Sequence, residues 1–288
     1  LYFINFLWNK KPGFDTYSLI RILNIKIMES IRQEEGYAGQ ITDFFIDLGN
    51  LTGFACKVIR QSFKKSVEFR EFLRQSYDVG YRSLPLVGIT AFILGLVLTL
   101  QTRPVLADLG AEAWLPGMVI VSIIREIGPV ITSLIFAGRV ASGYGAELSS
   151  MRVTEQIDAM EVSGINPVKY LVVTRVLAAT LMVPILVIYS DAIAFIGSYL
   201  GVNIQSSVSV HLFIKNAFDS VHFYDILPAT IKTFFFGFAI GIISCYKGYY
   251  TDKGTAGVGI AANSAVVVSS LAVFIIDLLV VQLTELII

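Results

Sequence analysis

Five apolar runs dominate the chain: Leu84 to Gln101, Leu115 to Gly138, Tyr170 to Val202, Ile226 to Tyr246 and Ala265 to Thr284. Each is close to or beyond the roughly 20 helical residues needed to cross a bilayer core of about 30 Å. A chain built this way is an all-α integral membrane protein, and composition agrees. Of its 288 residues 55% are hydrophobic and 15% charged, with a mean hydropathy of +0.70, too apolar for a soluble domain of this length.

The formal net charge is zero, but the charges are unevenly placed. More than half of the Lys and Arg residues precede Thr90, which argues against a nucleic-acid binder and for a cytoplasmic amino terminus. The connection Asn203 to Asp225 holds only Lys215, so it falls outside, while Arg139 to Lys169 and Lys247 to Lys253 fall inside. The carboxyl terminus then lies outside, or in the periplasm. Before the first run, Ile41, Phe44, Phe45, Leu48, Leu51, Ala55, Val58, Ile59 and Phe63 follow the i, i+3, i+4, i+7 spacing of one helical face. Asp43, Asp47, Asn50, Lys57, Arg60 and Gln61 oppose them, which predicts a helix lying in the membrane interface. The basic stretch Lys64, Lys65, Arg70, Arg74 and Arg82 suits an anionic leaflet. The organisation expected is an amino-terminal extension over 1–39, an interfacial helix and basic linker over 40–83, and a membrane domain over 84–288. Met28 is expected to be the natural start, because residues 1–27 have neither clean periodicity nor the form of a signal peptide.

Metal and nucleotide chemistry find little support. Cys56 and Cys245 are far apart, and His211 and His222 read as solvated residues of a polar connection. Lys253-Gly254-Thr255 lacks the glycine spacing of a phosphate loop, so any ATP chemistry belongs to another chain.

Ionisable residues inside the runs carry more information. Arg125 and Glu126 stand side by side in the second, Asp191 lies in the third, Lys232 in the fourth and Asp277 in the fifth. Each costs several kcal/mol facing lipid, so each needs a partner helix, a cavity or another charge. Small residues, Gly88 with Gly95, Gly237 with Gly241 and the run from Ala137 to Gly145, favour close helix packing. After the second run, residues 145–163 read as a polar helix closed by Gly164 ahead of Pro167. Met151, Ile157 and Met160 supply apolar knobs, and Glu155, Asp158 and Glu161 share one sector, as a partner-docking helix would.

The stretch "REIGPVITSLIFAGRVASGYGAELSSMRVTEQIDAMEVSGINPVKYLVVTRVLA", Arg125 to Ala178, strongly resembles the signature of the MlaE (YrbE-like) permeases. These are membrane subunits of ABC systems that move lipids with MCE-domain partners. "AFILGLVLTLQ", ending at Gln101, and the stretch from Ser244 to Val280 agree with it in order and spacing. The resemblance runs from about Gln40 to the end, while "TRPVLADLGAEAW" after Gln101 departs from it.

The resemblance implies a homodimer in the bacterial inner membrane, each protomer with an interfacial helix and five spans, enclosing a cavity for phospholipid. It implies two ABC ATPase subunits that bind the ATP and Mg, often with a STAS-domain protein, a periplasmic MCE-domain ring, and a part in outer-membrane lipid asymmetry. No cofactor is expected on this chain. Glu147, Arg152, Glu155, Asp158 and Glu161 are the candidates for the ATPase coupling contact. Leu96, Leu98, Leu100 and Gln101 of the first span, with Arg125 and Glu126, are the candidates for the lipid cavity. Arg125 and Glu126 either pair with groups on other helices or meet a headgroup, Arg125 by bidentate hydrogen bonds to phosphate. Two rival functions stand beside it: a proton-coupled secondary transporter with Glu126, Asp191 and Asp277 as a relay, and a scaffold that recruits partners through the acidic helix without transport.

Overall fold

The computed structural model describes residues 45–63, 68–204, 208–251 and 254–287, and every regular element among them is helical. The chain divides into two compact units, residues 1–53 and 54–288. Of the first, residues 45–53 are described; they are helical, with Phe45, Ile46 and Leu48 exposed. The expected start at Met28, the extension over 1–39, Ile41 and Phe44 of the amphipathic pattern, and Lys64 and Lys65 lie outside the described residues.

The second unit opens with helical residues 54–62. Phe54 and Val58, one turn apart, are its buried face. The Phe54 ring packs on Tyr246, Tyr249 and Tyr250 at centroid distances of 5.7, 6.0 and 5.6 Å. Phe54 is absent from the apolar face expected from periodicity, whereas Ile59 and Phe63 of that face are exposed. One stripe of this helix anchors to protein and a neighbouring one is left for lipid.

Phe69–Tyr81 turns through Arg82 and Ser83 into the first span, Leu84–Asp108. This helix continues past Gln101 for seven residues despite Pro104, which removes one hydrogen bond. Leu106 beyond it is buried in the core and holds the extension in place. The second span runs through Glu112–Val153, with widened π turns at Ile123–Ile127 and Ala137–Ala141. The first of these has a local cause. Pro129 offers no N–H to the carbonyl of Arg125 and its ring would crowd that oxygen, so the turn before it opens.

The polar segment expected as a single helix over 145–163 is two. Ser142–Val153 prolongs the second span, and Gln156–Val162 is a separate short helix after a break at Thr154 and Glu155. Glu155 has φ 57, in the left-handed region that ends a helical run. Ile157 is fully buried and anchors the short helix to its own chain instead of serving as a knob. Gly164, φ 76, closes it, with the Ile165 N–H bonded to the Met160 carbonyl at 2.9 Å.

The third span, Val168–Asn203, is the centre of the bundle and packs on the first and fourth; 67% of its apolar window is buried, against 17% for the fifth, Gly254–Leu286. First and third spans touch backbone to backbone. A Cβ on Gly95 would strike the Ala194 carbonyl and one on Gly197 the Phe92 carbonyl, so only glycine permits this approach. Thr99 and Ser198 share a buried hydrogen bond of 2.8 Å beside it. Gly237 of the fourth span, Phe223–Tyr249, lies likewise against Ala179 and Thr180 of the third.

Between third and fourth spans the sequence pattern shows only a polar connection, yet it holds a helix, Val210–Ser220, with Phe213 and Ala217 buried against the start of the second span. His211 is exposed on this helix, while His222 caps the fourth span, its N–H donating to Asp225 Oδ2 at 2.9 Å.

Candidate functional site

The spans bring their charges together at two levels. At the first, the π turn Ile123–Ile127 carries Arg125 and Glu126 towards the fourth and fifth spans. Lys232 Nζ donates to Glu126 Oε2 and to Asp277 Oδ1, both at 2.8 Å. The lysine side chain is 3% exposed, Asp277 19% and Glu126 44%, so the ammonium is sealed while one carboxylate remains reachable. Arg125 Nε lies 3.6 Å from Asp225 Oδ1. At that separation the pair is a charge contact outside hydrogen-bond range, and the half-exposed guanidinium keeps donors for another acceptor.

Arg125, Glu126, Asp225 and Lys232 line a narrow cleft together with Glu285. Through Tyr224, Pro228, Val280 and Thr284 it continues into a groove of about 700 Å³ lined by Leu227, Ile231, Phe235 and Leu283, between the fourth and fifth spans. A polar cleft with two cations and three carboxylates therefore adjoins an apolar trough. Such an arrangement accepts an amphiphile with its charged end in the cleft.

Asp191 does not join this cluster. Its carboxylate lies against Gly128, where a Cβ would meet Oδ1, and that oxygen has no hydrogen-bond partner. The relay envisaged for a secondary transporter is thus not a connected chain among the described residues: Glu126 and Asp277 clasp Lys232, and Asp191 stands apart. The first-span candidates are divided as well. Leu98 packs into the core cluster with Val119 and Phe213. Leu96 and Leu100 are half-buried on the opposite flank, since residues two apart on a helix point about 200° apart, and Gln101 is exposed. The three leucines therefore do not line one face.

The second level lies around Glu147 to Glu161, and most of the coupling candidates have partners within the chain. Glu147 Oε1 accepts from Arg175 Nη2 at 2.7 Å. Arg175 is 2% exposed, donates also to the Leu171 carbonyl at 2.9 Å, and sits over the Tyr144 ring. Arg152 pairs with Asp158 across the break at Glu155. Glu161 accepts from Tyr249 Oη at 3.3 Å, tying the short helix to the end of the fourth span. Glu155 is exposed, as are Val162 and Ile165 beyond it. This end of the bundle therefore presents an acidic and apolar knuckle that is braced from behind by ion pairs.

Arg175, Asp225 and Tyr249 were not singled out by sequence reasoning. Asp225 had a local signal, three residues after the capping His222. Arg175 and Tyr249 sit at span ends, where basic and aromatic residues read as interface anchors. No cluster of three or more metal-binding side chains occurs among the described residues.

Comparison with known proteins places these features in a family. The model of the family described as Permease MlaE matches residues 72–283. A Rickettsia typhi protein named "Probable ABC transporter permease protein" is 38% identical over 240 residues, 83% of this chain and 93% of that protein. A Synechocystis protein of the same name is 38% identical over 209 residues, 72% of this chain and 78% of its own. The Arabidopsis thaliana chloroplastic protein trigalactosyldiacylglycerol 1 is 34% identical over 223 residues, 77% of this chain and 64% of that protein.

Proposed function

The chain belongs to the MlaE permease family and is the membrane-embedded permease subunit of an ABC transporter, and from that premise we propose that its cargo is phospholipid. The observation that carries this reading is the junction of the charged cleft with the apolar groove. Arg125, half-exposed and loosely paired, suits a phosphate through two parallel hydrogen bonds. Glu126, whose carboxylate is 44% exposed, suits an amine on the same headgroup. The groove between the fourth and fifth spans then takes acyl chain. One relative is named for trigalactosyldiacylglycerol, a lipid that shares the diacylglycerol part of such a cargo but not its phosphate.

The assembly we infer is a homodimer. The fifth span exposes Val267, Leu271, Phe274 and Leu278, an apolar face that a second copy would cover. ATPase subunits, which bind the ATP and Mg, meet the knuckle formed by Glu155, Asp158, Val162 and Ile165. Because Arg152, Glu147 and Glu161 brace that knuckle onto the second, third and fourth spans, ATPase closure moves the spans as one body. An MCE-domain ring sits at the opposite end, a STAS-domain protein accompanies the ATPase, and the complex works in the bacterial inner membrane with its amino terminus in the cytoplasm. In that setting it serves outer-membrane lipid asymmetry.

Native mass spectrometry of the tagged protein, drawn gently from its own membrane, tests this reading. A dimer that carries phospholipid and an ATPase supports it. A monomer with neither, under conditions that preserve other membrane complexes, overturns it. Reversing Glu155 and Asp158 to lysine should abolish ATPase capture while the spans stay folded; unchanged capture rejects the docking assignment.

A further inference from the structure

A second polar pocket lies at the other membrane boundary, between Phe69–Tyr81 and the far half of the second span. Its volume is about 400 Å³, and it is lined by three guanidinium groups, Arg74, Arg82 and Arg139, and three carboxylates, Glu71, Asp78 and Glu147. We propose that this pocket is a separate lipid-headgroup site, taking a phosphate diester joined to a primary ammonium.

Four observations point there. Arg139 rises from the second span and donates to Ser83 Oγ at 2.7 Å, but forms no ion pair among the described residues. A guanidinium has five N–H donors, so most of its capacity remains. The other two arginines are only loosely held. Arg82 Nε is 3.6 Å from Asp78 Oδ1 and Arg74 Nη1 is 3.8 Å from Glu71 Oε2, and both arginine side chains are mostly exposed, free to re-aim. Tyr144 also lines the pocket and gives its wall an aromatic ring. Finally, Leu73, Tyr77 and Tyr81 form an exposed stripe on the same helix, with the two tyrosine rings stacked at 5.1 Å. Aromatic rings of this kind favour headgroup depth.

The balance of charge selects the ligand. A lone phosphate would face three carboxylates and a lone amine three guanidinium groups, whereas a zwitterion satisfies both sets. Thirteen residues separate Arg139 from Glu126, about 20 Å along the helix. The two clefts thus lie at different depths of one bilayer. The inference rests on the chain sitting in a membrane and does not require phospholipid at the Lys232 cluster.

The test is native mass spectrometry of the full-length protein in detergent, titrated with lyso-phosphatidylethanolamine. Arg139→Gln removes the charge while keeping a polar side chain and should weaken one class of binding event about ten-fold, as expected for losing a charge-assisted contact. Arg139→Lys should retain most of it. Glu71→Gln should reduce the preference for lyso-phosphatidylethanolamine over lyso-phosphatidylglycerol, which a purely structural role would not do. Arg125→Gln should leave this class of event in place, so loss of all binding in Arg125→Gln alone overturns the second site while leaving the first. Unchanged binding in Arg139→Gln overturns it as well, as does equal loss in the folded lysine and glutamine variants. Displacement by inorganic phosphate as strong as by glycerophosphoethanolamine overturns the zwitterion assignment.

Discussion

Lys232 and Asp277 meet at 2.8 Å between the fourth and fifth spans, and the same ammonium holds Glu126 of the second at 2.8 Å. One cation thereby ties three helices. Because the lysine is almost fully enclosed, the attraction acts with little screening, and removing it leaves two carboxylates without their counter-charge.

Lys232→Met should therefore destabilise the bundle by about 3–5 kcal/mol, the usual cost of breaking a buried ion pair. The triple variant that adds Glu126→Gln and Asp277→Asn should recover a large part of that loss. Thermal unfolding followed by size-exclusion chromatography in detergent checks both. A single variant as stable as the parent would show that the cluster contributes nothing to the fold.

The Arg175–Glu147 pair should respond asymmetrically. Arg175 is buried and Glu147 is half-exposed, so Glu147→Gln, which leaves a buried guanidinium without its counter-charge, should cost about 3–5 kcal/mol, while Arg175→Met, which leaves a carboxylate that water can reach, should cost about 1–3 kcal/mol. A double-mutant cycle on unfolding midpoints measures the coupling. Equal effects would place the arginine's contribution elsewhere.

Gly95→Ala should separate the first and third spans, since its Cβ would meet the Ala194 carbonyl and neither backbone can yield without breaking the Thr99–Ser198 contact. Overpacking of this kind costs about 1–3 kcal/mol. Gly138→Ala, where nothing lies within 4 Å, should be tolerated within the protomer. Melting temperatures of the two variants, compared side by side, decide the point.

Glu155→Gly should stabilise the isolated permease by about 1 kcal/mol, because its φ of 57 penalises a side chain and not a glycine. Glu155→Pro, which cannot adopt that angle, should disrupt the break and displace the short helix. Protease accessibility between Arg152 and Asp158, read alongside the unfolding midpoint, reports both changes.

Much of this protein is legible from local pattern. The apolar runs determine five spans because a helix in hydrocarbon must satisfy its own backbone, and this depends only on length and composition. Loop charge, the closing Gly164 and the demand that Arg125 and Glu126 find partners are equally local. The pattern groups Leu96, Leu98 and Leu100 by closeness in sequence, whereas on the helix they fall on two flanks. It also merges Ser142–Val153 with Gln156–Val162, because a single left-handed residue leaves no mark on hydrophobic periodicity.

Which charges meet was decided by the tertiary structure alone. Lys232 is 106 residues from Glu126 and 45 from Asp277, and nothing along the chain relates the rotation of one helix to another. That rotation is set where Gly95, Gly197 and Gly237 let backbones touch, and by the widened turn before Pro129 that re-aims Arg125 and Glu126. The sequence by itself determined that there are five spans and that their charges need partners. Close packing, which acts between residues far apart in the chain, chose the partners.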